Sequence, residues 1–148
     1  MTVTTSKPGA GQSENSRYER GVEARSDVLG PDHVANSLGS ASPFSFPMQR
    51  LATELCWGDI WTRPGLDRRT RSLLTLVMLA AMNRMHEFAV HVKGAIRNGC
   101  TVEELQEALL QMSTYCGVPA GMEAFRVADR ELRELADDGE SDHVRSSA

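Results

Sequence analysis

Residues 67–83 constrain this chain more than any other stretch. Asp67 stands before Arg68 as an N-cap, a residue whose side-chain oxygen meets the open amides of a first helical turn. Behind it Leu73, Leu74, Leu76, Val77, Met78 and Leu79 point in every direction around the helix axis. A helix apolar on all sides has to be covered on all sides. The run 73–82 falls short of the roughly 20 residues that cross a bilayer, so it reads as a buried helix and not as a membrane span. A chain of this length supplies few neighbouring helices, and part of the surface of this one is expected to pack against another subunit.

The rest of the chain follows the same period. A second helix is predicted from about Met85 to Asn98, ending at Gly99, which tolerates the left-handed conformation that closes a helix. Thr101 and Glu104 form a T-x-x-E capping box, followed by Val102, Leu105, Ala108, Leu109 and Met112 at helical spacing. Gly117 and Pro119 interrupt that helix, and a last one runs through Phe125, Val127, Ala128 and Leu132. Two weaker helices are predicted around residues 17–29 and 48–57. Alternating β-branched runs, the mark of strands, are missing. The expectation is an all-α fold, a single helical domain of about six helices over residues 17–136. Residues 1–16 and 137–148 are polar and small, too poor in apolar surface to offset ordering entropy, and are expected to be disordered tails.

Charge narrows the partners. The sequence has 16 Lys and Arg against 20 Asp and Glu, a net charge of -4, and so lacks the basic excess that neutralises phosphates. Neither nucleic acid nor a membrane is expected as a partner. Cys56, Cys100 and Cys116 are odd in number and widely spaced, which suits reduced thiols in a cytoplasm and neither a disulfide framework nor a zinc knuckle. Residues 1–16 also lack the apolar run of a secretion signal.

On the second predicted helix, Arg84, Glu87 and His91 are three and four residues apart and fall in one stripe. That stripe runs along the edge of the apolar face Phe88, Val92, Ala95 and Ile96, where side chains reach a pocket between helices. From periodicity alone an ordinary surface ladder explains it as well. His86 and His91 diverge by about 140° on a helix, and a third convergent ligand is not visible, so no metal is expected. The segment Trp57-Gly-Asp-Ile-Trp-Thr-Arg-Pro-Gly-Leu66 holds both tryptophans. Its Arg63 suits a carboxylate clamp beside the aromatic wall of Trp61, or else the tryptophans are packing anchors. Tyr115 stands at the break before Pro119 and suits a pocket lining, and Cys116 reads as a small buried hydrophobe.

Taken together these stretches resemble the γ-carboxymuconolactone decarboxylase family, of the alkylhydroperoxidase D-like fold. The family pattern WGDxWTRPGL, TRS, NRxxELxxH, NGVTxxEI and YCGxPAA is met by Trp57 to Leu66, by Thr70-Arg71-Ser72, by Asn83-Arg84 with Glu87-Phe88 and His91, by Asn98 to Leu105, and by Tyr115 to Gly121. Phe88, Cys100, Leu105 and Gly121 depart from it, mostly in packing. The peroxidase branch of that fold uses a CxxCxxxH run. The same spacing here reads Arg84, Glu87, His91, so thiol peroxidase chemistry is disfavoured.

The resemblance implies an all-helical homo-oligomer, trimer or hexamer, acting on a small-molecule lactone carboxylate with no cofactor. The implied reaction takes CO₂ from γ-carboxymuconolactone to give the β-ketoadipate enol-lactone of protocatechuate catabolism. It also implies His91 as proton donor or enolate stabiliser, with Glu87 as its orienter. Arg84, Arg71 and Arg63 become anion contacts, and Trp61 and Tyr115 walls. Two other readings remain: a relative transforming another lactone or enolisable acid in specialised metabolism, and a non-catalytic oligomeric binding protein.

Overall fold

Asp67 accepts the backbone N–H of Thr70 at 2.7 Å, and helix α4 (Arg68–Ala81) begins where that cap places it. The structure, a computed structural model, describes residues 10–139. In chain order the helices are α1 (Ala10–Leu29), α2 (Pro31–Gly39), α3 (Phe46–Ala52), a π-helix (Thr53–Ile60), then α4, α5 (Met85–Arg97), α6 (Val102–Cys116) and α7 (Val118–Asp137). The fold is all-α, and no strand forms among the described residues. Against about six expected helices, the described residues form seven α-helices and the π-helix. The tails expected at 1–16 and 137–148 lie outside the described residues at 1–9 and 140–148, while Ala10 to Ser16 extend α1.

The described residues divide into two compact units, one of residues 10–26 and 31–63, the other of residues 27–30 and 64–139. In the second, α4 packs on α5 and α6, and α7 on α5, α6 and α4, around Leu76, Phe88, Val92, Leu105, Leu109 and Val127. The capping box of α6 is complete: Thr101 Oγ1 accepts the Glu104 amide at 3.2 Å and Glu104 Oε2 accepts the Thr101 amide at 2.9 Å. Gly99 takes the left-handed conformation, φ +87°, after α5. Residues 27–30 are tied in by two arginines. Arg68 Nη1 donates to Asp27 at 2.8 Å, and Arg97 Nη1 donates to the Leu29 carbonyl at 3.1 Å.

The first unit is put together differently. The π-helix closes with the Trp61 amide donating to the Cys56 carbonyl at 2.9 Å, a bond five residues long. Here α1 touches the π-helix backbone to backbone. A Cβ on Gly21 would overlap the Thr53 carbonyl, and one on Gly58 would lie 2.5 Å from the Arg17 carbonyl. Only glycine allows that approach. Arg17 and Asp59 lock the contact with a two-pronged ion pair.

Helix α4 is only partly the buried helix expected. Leu76 and Ala80 are buried, but Leu74, Met78 and Met82 lie open, Met82 at 66% of its area. No helix of the described residues is long and apolar enough to cross a membrane.

Candidate active site

Helix α5 carries the polar stripe. Phe88, Val92, Ala95 and Ile96 bury its apolar face as their spacing predicts. Burial of that face fixes the rotation of the helix. Glu87 and His91, one turn apart, then fall on its flank. Glu87 is exposed in the first turn, where its charge favours the helix N-terminus. His91 is half-buried and its Nδ1 is fully shielded from solvent.

Arg84 stands apart from the expected stripe in one respect. It is the N-cap of α5, with φ -95° and ψ 65°, so the 100° step that aligns Glu87 with His91 does not extend back to it. Its side chain is exposed. Arg71, in the first turn of α4, is half-buried with its Nε shielded. His86 is exposed beside Glu87.

Tyr115 is not on this flank. It is 83% exposed at the end of α6 and lines an apolar groove of about 420 Å³ between α4 and α6, with Leu74, Val77, Met78 and Met112. None of Arg71, Arg84, Glu87 and His91 lines that groove. Cys116 lies on it too, exposed where a buried hydrophobe was expected, because it ends α6 on the open side. Cys100 is the buried thiol. Its Sγ donates to the Arg69 carbonyl at 3.5 Å, and burial pushes its pKa up. All three cysteines are free.

Trp61 and Arg63 belong to the first unit. Trp61 is buried and stacks on Trp57, ring centroids 4.8 Å apart, so both tryptophans act there as packing anchors. Arg63 is exposed after the π-helix. Among the described residues no three His, Cys, Asp or Glu side chains converge as metal ligands.

One residue escaped the reading of the sequence. Arg25 lies on the buried stripe Gly21, Ala24, Val28 of α1 and is itself buried. The signal was visible: a charge set at apolar spacing has to be explained by what surrounds it.

Residues 47–130 match the model of the carboxymuconolactone decarboxylase family. A nitrosuccinic acid decarboxylase of Metarhizium robertsii is 44% identical over 83% of this chain and 86% of its own length. A 4-carboxymuconolactone decarboxylase of Acinetobacter baylyi is 38% identical over 83% of this chain and 92% of its own.

Proposed function

The chain belongs to the carboxymuconolactone decarboxylase family and is a carboxy-lyase, and from that premise we propose that it decarboxylates γ-carboxymuconolactone to the β-ketoadipate enol-lactone. The observation that carries the proposal is the pair on α5: a half-buried His91 one turn from an exposed Glu87. The leaving carboxylate departs as CO₂, and its bonding electrons pass through the ring double bond into the lactone carbonyl. The dienolate that results needs a donor near its oxygen and a proton at the α carbon. His91 is the donor for both, and Glu87 orients it and steadies the imidazolium. Arg84 and Arg71 are the anion contacts of the second unit. Trp61 and Arg63 lie in the first unit, where Trp61 stacks on Trp57, and the scheme assigns them no step.

A second substrate has a specific observation behind it, the 44% identity to the nitrosuccinic acid enzyme. Nitrosuccinic acid also carries two carboxylates, one of them on the carbon that bears the nitro group. Loss of that carboxylate as CO₂ sends the electron pair into the nitro oxygens, and a proton returns to the same carbon. Both substrates ask for an anchored carboxylate, an oxyanion donor and a proton, the set that Arg71 and Arg84 offer together with the α5 pair.

The exposed apolar residues of α4 and α6 support assembly as a homo-oligomer, with the Leu74, Met78 and Tyr115 groove covered by a second copy. Reduced thiols suit a cytoplasmic enzyme.

The test is CO₂ release from the lactone and from nitrosuccinic acid by wild type, His91→Gln, Glu87→Gln and His86→Gln, with assembly followed by light scattering. His91→Gln is expected to lower kcat by about 10²-fold or more on the preferred acid, the scale of a general acid or base. Glu87→Gln costs the same or less, and the double variant little beyond the worse single one, because the two act as a unit. His86→Gln stays near wild type. Unchanged turnover by an assembled His91→Gln would remove α5 from the chemistry, and a monomer of 16.2 kDa in wild type would remove the oligomer.

A further inference from the structure

Arg25 has no place in that mechanism, and it is the least explained charge among the described residues. Its side chain is only 7% exposed. Its acceptors are all neutral: Nη1 donates to Gln49 Oε1 at 3.0 Å and to Thr53 Oγ1 at 3.1 Å, and Nη2 donates to Ser37 Oγ at 3.5 Å. The last is at the outer limit of a hydrogen bond. Nε is buried with no acceptor, and no carboxylate lies within ion-pair distance among the described residues. Guanidinium stays protonated in proteins, so the site holds a full positive charge. Burial lowers its pKa, with the Tyr18 phenol and the Cys56 thiol acting the other way.

An uncompensated buried charge is costly to fold around. Packing alone does not call for it, since an apolar side chain of the same volume fills such a place at lower cost. The arrangement of the donors shows what is missing. Nη1 is fully used, whereas Nε–H has no acceptor and Nη2–H holds Ser37 only loosely. Those two N–H groups form the parallel edge of a guanidinium that matches the two oxygens of a carboxylate. Ser37 and Gln49, which hold Nη2 and Nη1, are themselves only partly buried, so the surround of Arg25 reaches the surface at these two side chains. A second feature converges on the same spot. Thr53, which holds Nη1, is the first residue of the π-helix, and such turns recur at functional sites.

We infer that Arg25 is the anchor of a carboxylate-binding site inside the first unit, with Thr53, Gln49 and Ser37 as its polar surround. The carboxylate takes the Nε–H and Nη2–H edge, displaces the long Ser37 contact and supplies the counter-charge. A purely structural tie between α1, α2, α3 and the π-helix is the rival account.

Both tryptophans of the protein sit at the π-helix, so intrinsic fluorescence reports on this neighbourhood. The experiment titrates the full-length protein with succinate, with sulfate and with neutral succinamide at matched ionic strength. Succinate has no electron sink beside a carboxylate, so binding is read without turnover, and the result stands apart from that of the decarboxylation assay. Succinate is expected to give a saturable change that sulfate and succinamide do not. Arg25→Met weakens it by at least about tenfold, the lower scale of lost hydrogen bonds to a charged group. Arg25→Lys, which keeps the charge and loses the two-donor edge, also weakens it. The inference is overturned by no saturable response in wild type, whatever the variants do, by an equal response to sulfate, or by undiminished succinate binding in either variant.

Discussion

The second unit packs side chain on side chain, with Leu76, Phe88, Val92 and Leu109 filling the space among four helices. The first brings α1 and the π-helix together at Gly21 and Gly58 with no side chain between them, and buries an arginine beside the contact. These two ways of holding helices fail differently. A side-chain core loses stability with each atom removed, since the cavity left behind relaxes only in part. A backbone contact has nothing to remove, and it fails when a methyl is added.

The largest effect should therefore come from deletion in the second unit. Phe88 is fully buried among α4 to α7, and Phe88→Ala is expected to cost about 3–5 kcal/mol. Urea unfolding followed by circular dichroism measures it, and a loss below about 1 kcal/mol would show that the space closes around the missing ring. Addition in the first unit comes next. Gly21→Ala sets a methyl against the Thr53 carbonyl, which is backbone and cannot rotate away. About 1–3 kcal/mol is expected, the general cost of overpacking, seen as a lower urea midpoint of tryptophan fluorescence. If Gly21→Ala is neutral while Phe88→Ala is not, the backbone contact is looser than it stands here, and the contrast between the units dissolves.

The same contrast decides what could be read from the sequence. Caps and apolar periods are local, so Asp67, the Thr101 and Glu104 box, and the buried face of α5 were legible before any coordinates. The flank holding Glu87 and His91 followed from that face. Arg84 did not, because a cap residue leaves the helical period. Helix α2 was missed because it buries Val34 alone. The π-helix, eight residues long, leaves no period of its own in the sequence, and the helix predicted around residues 48–57 stops inside it. Gly21 and Gly58 are far apart in the chain, and nothing in either residue names its partner. Tyr115 lines a groove, as its place at the helix break suggests, but which helices form that groove is set by packing that the motif does not encode.

The smallest effect lies in the cap of α4, where local rules act alone. Asp67 is fully exposed, yet its carboxyl is held below the ordinary range, first by the hydrogen bond from the Thr70 side chain and then by the Thr70 amide. A folded-state pKa below the unfolded one means that the charged cap stabilises the protein above the unfolded value, about 3.9 for an aspartate. That contribution is lost as pH falls through the folded value. Asparagine caps a helix nearly as well and does not titrate. Asp67→Asn is thus expected to lower the urea midpoint slightly at pH 7, and the gap to wild type should shrink as both are taken below pH 4. Screening at an exposed site keeps the gap small, and added salt should narrow it further. A gap that held constant into acid would mean that the side-chain oxygen caps α4 by geometry alone, with no contribution from its charge.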